Sequence, residues 1–136
     1  MKLINKNTDY AVRAIMTLAG NRNSFMSARE IAEKQNIPYQ FLRRILRPLI
    51  RKGIIKSKEG VGGGVKLVID PDKIRVIDLI RIYHENFEIS KCMFRGRPCS
   101  NRDNCVLREE VIAIENDLIS KFEKLTIQKL LRKLGR

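Results

Sequence analysis

The sequence has no tryptophan and a single histidine, His84, among its 136 residues. A multi-histidine metal site, or a catalytic relay that depends on histidine, is therefore hard to build. The first ten residues, MKLINKNTDY, contain no apolar core of a secretory signal. No apolar run approaches the roughly 18 residues of a membrane span. We therefore expect a cytoplasmic protein that makes no use of a membrane, and we assign His84 no role.

Acidic residues are scarce relative to basic ones. Fifteen aspartates and glutamates stand against 28 lysines and arginines, which gives a formal net charge of +13. This balance favours a polyanionic partner, nucleic acid before an anionic membrane. Eight basic residues and no acidic one lie between positions 34 and 58: Lys34, Arg43, Arg44, Arg47, Arg51, Lys52, Lys56 and Lys58. A solvated charged face usually mixes both signs, so this stretch predicts a DNA-binding surface.

The first half of the sequence predicts a helix-turn-helix. Thr8 is expected to cap a first helix that ends at about Gly20, with Asp9 in its first turn. A capping box at Ser27-Ala28-Arg29-Glu30 begins a second helix, which ends at about Gln35. A third helix carries apolar residues at the spacing of an amphipathic helix: Leu42, Ile45, Leu46, Leu49 and Ile50. Its basic residues fall away from this stripe, as expected for a recognition helix.

A wing is predicted directly after the third helix. Residues 54–58 and 64–69 read as two short strands, joined by the glycine-rich segment 59–63. A phosphate loop is excluded because no Gly-Lys-Ser/Thr follows the glycines, and a dinucleotide fingerprint is excluded because Val65 stands where it needs glycine. A glycine-rich hairpin tip instead lets the backbone approach DNA closely.

The second half of the sequence predicts three further helices. The first runs from Ile74 to about Glu85. A long helix over 103–125 carries a seam close to that of a coiled coil, and its seam residues are Leu107, Val111, Ile114, Leu118, Phe122 and Leu125. Its net charge over 103–124 is −3, from six acidic and three basic residues, so we expect it to pair with a second chain rather than with DNA. A basic amphipathic helix over 126–134 is expected to pack near the predicted DNA-binding domain, residues 1–85, which we call the head.

All three cysteines lie in one segment between Lys91 and Arg108, as Cys92-x6-Cys99-x5-Cys105. This spacing is neither that of a zinc ribbon nor that of a bacterial ferredoxin. An odd number of cysteines in a reducing compartment favours metal or redox chemistry over a disulfide framework. The surrounding arginines favour thiolates and offset the negative charge of a thiolate-bound cluster. The segment predicts a metal or redox site, and its spacing leaves the metal and the fourth ligand open.

Taken together, these pieces resemble the Rrf2 family of bacterial winged-helix regulators over essentially the whole chain. The matching pieces, in order, are TDYAVRAIMTLA, SAREIAEKQNIPYQFLRRIL, GIIKSKEGVGGGVKL, the three-cysteine segment and the long helix ending in TIQKLL. The resemblance implies a homodimeric repressor or activator whose long helices cross. It also implies that the three cysteines bind an iron–sulfur cluster whose state controls promoter affinity.

Two branches of the family differ in the fourth cluster ligand. The IscR type uses a histidine three residues after the last cysteine, where this sequence has Arg108. The NsrR type uses an aspartate of a Thr-Asp motif in the partner subunit, and this sequence has Thr8-Asp9 at that place. The resemblance therefore implies Cys92, Cys99, Cys105 and Asp9 of the partner subunit as ligands. A 4Fe–4S cluster sensing nitric oxide, redox or cluster status is favoured, and 2Fe–2S is possible.

The resemblance also implies which residues contact DNA. Pro38, Gln40 and Arg43 match the base-contacting positions, and Gln and Arg can read adenine and guanine in the major groove. The family commonly has Arg before the first wing glycine, where this sequence has Glu59, so Lys58 or Lys66 would substitute. The full predicted set is Pro38, Tyr39, Gln40, Arg43, Arg44, Arg47, Lys58, Gly60 and Lys66.

The predicted fold class is therefore mainly α with a small β wing: a winged helix-turn-helix with a long C-terminal dimerisation helix. We divide the chain into a DNA-binding domain (1–85), a cluster-binding loop (86–106), a dimerisation helix (103–125) and a short C-terminal helix (126–136). The main alternative is a regulator of the same fold that senses by thiol oxidation or through a partner protein, without a cluster. A thiol or metal enzyme and an RNA-binding winged helix are rival interpretations; the enzyme lacks a nucleophile–base pair.

Overall fold

The computed structural model describes residues 4–84 and 99–135. The described part is mainly helical with one small antiparallel sheet, which confirms the predicted fold class. The elements in chain order are α1 (Lys6–Ala19), α2 (Ala28–Gln35), α3 (Tyr39–Arg51), β1 (Ile55–Lys58), β2 (Gly64–Leu67), α4 (Val76–Tyr83), α5 (Val106–Glu123) and α6 (Ile127–Leu134). Short 3-10 turns at Pro71–Lys73 and Arg102–Asn104 precede α4 and α5.

The cap of α1 is Asn5, so the prediction that Thr8 caps this helix is wrong. The Asn5 Oδ1 atom accepts hydrogen bonds from the Thr8 backbone N–H at 2.9 Å and from the Thr8 hydroxyl at 3.1 Å. The Asn5 amide also donates to the Tyr83 carbonyl at 3.2 Å, which ties the start of α1 to the end of α4. Because this contact recruits Asn5, α1 begins before Thr8, and Thr8 becomes fully buried.

The helix-turn-helix forms as predicted. Ser27 caps α2, since its hydroxyl accepts from the Glu30 N–H at 3.1 Å, and the left-handed Asn36 (φ 52°) ends that helix. Pro38 precedes α3 in an extended conformation. The helix α3 continues through Pro48 and buries four residues of its predicted stripe: Leu42, Ile45, Leu46 and Leu49. Burying this stripe against α1, α2 and the sheet leaves the opposite, basic face of α3 in solvent.

The wing is a two-stranded sheet in which Ile55 pairs with Leu67 and Lys56 pairs with Lys66. Both strands are shorter than predicted. Ile54 and Val68 lie outside them, although the Val68 N–H still donates to the Ile54 carbonyl at 2.9 Å. A third extended segment joins the sheet at Met26, which forms an antiparallel bridge to Val65. The wing is therefore attached to the loop between α1 and α2.

The C-terminal helix docks on the head through a backbone bridge. The Val76 N–H donates to the Leu125 carbonyl at 2.8 Å, and the Ile127 N–H donates to the Ile74 carbonyl at 2.9 Å. Ile127 is fully buried in the core, so α6 packs back near the head as predicted. This bridge holds Ile74 and Arg75 extended, so α4 begins later than the predicted Ile74.

The helix α5 is shorter than the predicted span of 103–125, because residues 102–104 form a 3-10 turn and Leu125 enters the bridge. None of its 18 residues is buried. No helix in the described ranges is long and apolar enough to cross a membrane.

Candidate nucleic-acid interface and cysteine segment

The predicted DNA-contacting residues of the recognition helix lie at the surface. Pro38, Gln40, Arg43, Arg44 and Arg47 are exposed. Tyr39 is half-buried at the first turn of α3. Because the apolar stripe of α3 is fixed against the core, the four polar side chains that belong to α3 share the outer face of one helix, and Pro38 directly precedes it. This is the arrangement that a major-groove reader needs.

Two arginines lie close to the Tyr39 ring. The Arg29 guanidinium carbon lies 4.3 Å from the centre of the Tyr39 ring, and that of Arg43 lies 5.8 Å from it. Both distances suit cation–π attraction. Arg29 comes from α2 and was not among the predicted residues. Its sequence position gives no sign of this role, because the contact depends on the turn between α2 and α3.

A second aromatic group supports the middle of the recognition helix. The Phe41 ring meets the Tyr10 ring edge to face, with centroids 5.5 Å apart. The Arg44 guanidinium carbon lies 5.1 Å from the Phe41 ring centre. The exposed Arg44 cation therefore packs against the Phe41 ring. The contact between Phe41 and Tyr10 joins α3 to α1 at this point.

The wing carries its predicted residues on its outer side. Lys58 and Gly60 are exposed and Lys66 is half-buried. Gly60 has a left-handed backbone (φ 90°) at the hairpin tip, next to the fully exposed Val61. Lys56, which was not among the predicted contacts, lies directly opposite Lys66. The wing thus adds three lysines to the positive surface of the head.

Two of the three predicted thiol ligands lie in the described part of the chain, and Cys92 lies outside it. Cys99 and Cys105 are both free thiols and both half-buried. Cys105 is the N-cap residue of α5, and its carbonyl accepts from the Glu109 N–H at 3.1 Å. The dipole of an 18-residue helix favours negative charge at this end, which suits a thiolate-bound cluster. The donor chemistry therefore fits an iron–sulfur group, whose usual ligands are thiolates.

Asp9 lies in the first turn of α1 with its carboxylate open to solvent. It forms an ion pair with Arg13 at 3.0 Å, and the two side chains are 46% and 48% exposed. Such exposed pairs contribute little to stability, so the carboxylate remains available to bind a metal. Asp9 lines an open cleft of about 490 Å³ together with Asn5, Tyr10 and Asn36. In the described ranges it does not form a metal-binding group with Cys99 and Cys105.

His84 ends α4, and its N–H donates to the Ile80 carbonyl at 2.8 Å. Its Nε2 atom is buried and has no hydrogen-bond partner among residues 4–84 and 99–135. The neighbouring Tyr83 donates its hydroxyl to the Ile45 carbonyl at 2.6 Å, and burial raises the pKa of this phenol. The end of α4 is therefore tied to the recognition helix.

Comparisons with known proteins agree with this architecture. A family model described as "Rrf2: Iron-dependent Transcriptional regulator" matches residues 4–133. The chain is 30% identical over 124 residues to an HTH-type transcriptional regulator assigned in Aquifex aeolicus, covering 90% of this chain and 86% of that one. It is 32% identical over 108 residues to the HTH-type transcriptional regulator NsrR of Bacillus subtilis, covering 79% and 70% of the two chains.

Solved structures show the same fold. CymR, the global cysteine regulator of B. subtilis, superposes with a TM-score of 0.83 at 23% identity, covering 98% of both chains. IscR of T. potens superposes with a TM-score of 0.70 at 23% identity, covering 98% of this chain and 88% of that one. At these identities the likeness concerns the fold alone. From the family match and the geometry of its head, the chain belongs to the Rrf2 family and is a DNA-binding winged-helix transcriptional regulator.

Proposed function

We propose that this protein is a cytoplasmic, homodimeric repressor whose affinity for its operator is set by an iron–sulfur cluster. The ligands would be Cys92, Cys99, Cys105 and Asp9 of the partner subunit, with a 4Fe–4S cluster favoured. Residues 1–85 would bind DNA, 86–106 hold the cluster, 103–125 form the dimer and 126–136 dock on the head. The observation that carries this proposal is a pair of free, half-buried thiols, Cys99 and Cys105, of which Cys105 is the N-cap of α5, a helix that buries none of its residues.

DNA recognition would use the exposed face of α3. Gln40 and Arg43 present the side chains that pair with adenine and guanine, and the Arg43 guanidinium carbon lies 5.8 Å from the centre of the Tyr39 ring. In operator fragments selected from genomic DNA, Arg43→Ala is expected to weaken specific binding by about 1–3 kcal/mol. Arg81→Ala, which removes one exposed charge from α4, is the matched control. An equal loss on operator and unrelated duplexes would make Arg43 a phosphate contact instead.

Dimerisation would use the exposed apolar side chains of α5. Leu107 is 71% exposed and Ile114 is 52% exposed, and both belong to the predicted seam. A helix of this length spans about 27 Å, and in the described ranges the head contacts it mainly through α4. A second copy of the same helix would cover both side chains and let them pack as in a coiled coil.

The dimer is tested by solution mass. Ile114→Glu is expected to lower the mass measured by light scattering from two chains to one, because a carboxylate would be buried in the seam. Asn116→Glu, on an exposed polar position of the same helix, is expected to leave the dimer intact. If the wild type has the mass of one chain across the micromolar range, the proposed dimer is wrong, and so is a ligand donated by the partner subunit.

The cluster site would join the dimer helix to the head. When bound, an iron–sulfur cluster supplies iron that reacts directly with nitric oxide or oxygen. Cys99 and Cys105 would fix the start of α5, and Asp9 of the partner subunit would complete the site only in the dimer. A dimer must present its two recognition helices about 34 Å apart to enter successive major grooves. A cluster that binds Cys99 and Cys105 would therefore help to set the distance between the two recognition helices.

The ligand set is tested by iron analysis and visible absorption after anaerobic purification. The wild type is expected to be brown, with thiolate-to-iron absorption and acid-labile sulfide. Asp9→Ala is expected to lose iron faster or to change the spectrum, with the dimer intact. Arg13→Ala removes the same ion pair but keeps the carboxylate, so it should retain the wild-type spectrum. Identical spectra for Asp9→Ala and the wild type would return Asp9 to a helix-dipole role.

The second candidate is sensing by thiol oxidation without a cluster, and its basis is that Cys99 and Cys105 are free thiols. Iron content separates the two. A colourless protein without iron or sulfide after reconstitution, whose DNA affinity changes with a thiol oxidant, would replace the cluster with thiol chemistry.

A further inference from the structure

Three lysines of the wing converge on one aromatic ring. The ammonium nitrogens of Lys56, Lys58 and Lys66 lie 5.9, 5.7 and 5.6 Å from the centre of the Phe25 ring. Phe25 belongs to the loop between α1 and α2, outside the helix-turn-helix and outside the wing hairpin. A single ring therefore lies within 6 Å of three cations that come from two strands.

The strand alternation explains this arrangement. Met26 bridges Val65 and both side chains are buried in the core, so Phe25 faces the opposite side of the sheet, level with Lys66. Lys56 pairs with Lys66 across the ladder, which places the two lysines on that same outer side. Side chains two apart on a strand share a face, and so Lys58 also lies there.

This cluster does not serve the stability of the sheet. Like charges directly opposite each other in an antiparallel pair are unfavourable, and Lys56 and Lys66 are such a pair. In the parts of the chain that the structure describes, none of the three ammonium groups forms an ion pair. Glu59 follows Lys58 in the sequence and is exposed, and within the described residues it forms no ion pair with any of the three lysines. Positive charge that is not paired with an anion of the described residues is suited to binding an anion of another molecule.

We propose that Phe25 is a positioning residue that gathers Lys56, Lys58 and Lys66 into one binding site for the phosphates of duplex DNA. The inference rests on the DNA-binding part of the proposed function. Each cation is attracted to the face of the ring, and this restricts long side chains that would otherwise spread apart by mutual repulsion. Duplex DNA is the fitting anion because its phosphates recur along an extended backbone, as the lysines do along the outer side of the wing.

The test compares two substitutions of Phe25 in the full-length protein. Phe25→Leu keeps an apolar side chain but removes the ring, and Phe25→Tyr keeps the ring. Binding to a fluorescent duplex of about 30 base pairs and unrelated sequence is measured by anisotropy between 0.05 and 0.3 M salt. The slope of log affinity against log salt is negative. One lost phosphate contact reduces its magnitude by about 0.9 and weakens binding about fivefold at 0.15 M salt. Phe25→Leu is expected to show at least this loss, and Phe25→Tyr to bind like the wild type.

A double-mutant cycle then separates positioning from simple packing. Lys66→Ala is expected to weaken binding about fivefold in the wild type and by less in the Phe25→Leu background, because the lysine is no longer held there. Lys129→Ala, which removes one exposed charge from α6, is the charge control and should have the same effect in both backgrounds. The side-chain methylene protons nearest the ammonium groups should also lose their ring-current shifts in Phe25→Leu.

Three results would overturn the inference. One is an unchanged salt slope in Phe25→Leu. Another is equal weakening by Phe25→Leu and Phe25→Tyr together with a lower melting temperature, which would make Phe25 a packing residue. The third is full additivity of Phe25→Leu and Lys66→Ala. If the wild type fails to bind any duplex, the proposed DNA-binding function itself is wrong. This result differs from the three that contradict only the role of Phe25.

Discussion

Gly64 is the position where the wing meets the loop between α1 and α2, and replacing it by alanine should separate the two. Its backbone has φ 137°, a conformation that residues with a side chain rarely adopt. A Cβ atom placed there would lie 2.2 Å from the Met26 carbonyl oxygen and 2.5 Å from the Met26 carbonyl carbon. The obstacle is backbone, so it cannot rotate away as a side chain would. Gly64→Ala must move Met26 away from β2.

The size of the effect follows from two contributions. The backbone conformation costs of order 1–3 kcal/mol for a residue with a side chain. Moving Met26 also breaks two hydrogen bonds with Val65, of 2.8 and 2.9 Å, each with a net value of about 0.5–1.5 kcal/mol. We expect Gly64→Ala to lower the free energy of unfolding by about 2–6 kcal/mol.

Gly60→Ala is the matched control for this substitution. Gly60 also has a positive φ, of 90°, but a Cβ atom added to it would meet no atom of the described residues within 4 Å. Gly60→Ala should therefore cost only the backbone conformation, about 1–2 kcal/mol.

The free energies of unfolding are measured by urea denaturation followed by circular dichroism, at one protein concentration so that any dimer contributes equally. Amide hydrogen exchange of Met26 and Val65 provides a local readout, and protection should fall in Gly64→Ala and persist in Gly60→Ala. Equal destabilisation by the two substitutions, with protection at Met26 retained in both, would refute the reasoning that backbone contact makes Gly64 necessary.

Three further predictions concern the packing of the head. Tyr83→Phe removes the hydrogen bond to the Ile45 carbonyl and should lower stability by about 0.5–1.5 kcal/mol at neutral pH. Burial raises the pKa of Tyr83 in the folded state. The contribution of this phenol to the free energy of unfolding is therefore fully present below the unfolded pKa of 10.0 and is lost as the pH rises further. Wild-type stability should accordingly fall above about pH 10 relative to Tyr83→Phe. Ile127→Ala should lower the free energy of unfolding by about 2–5 kcal/mol, since Ile127 is fully buried. Leu134→Ala, at a position 73% exposed on the same helix, should change little in the same urea titration. Ser27→Ala removes the side-chain cap of α2 and should cost about 1 kcal/mol by thermal denaturation.

Periodicity was sufficient to predict the helix-turn-helix, the wing and the basic outer face of α3. An amphipathic helix has one stripe that leaves water, and the position of Arg43 away from the stripe of Leu42 and Ile45 follows from 3.6 residues per turn. These are local properties, because the residues that decide them lie within a few turns of each other.

The cap of α1 shows where local reasoning ends. Asn5 and Thr8 are both good capping residues, three positions apart, and the sequence around them favours neither. The hydrogen bond from Asn5 to Tyr83 joins residues 78 positions apart, and this contact selects the earlier start. The prediction that Thr8 caps the helix is wrong for that reason.

The same distinction applies to the functional surface. Composition and charge pattern alone indicated a basic DNA-binding protein with its thiols in one segment, because net charge and spacing are properties of the chain. The roles of Arg29 and Phe25 depend on tertiary structure. Arg29 reaches Tyr39 through the turn between two helices, and Phe25 reaches three lysines because Met26 pairs with Val65. An aromatic ring acts on cations only within about 6 Å, and only the folded chain brings these residues that close.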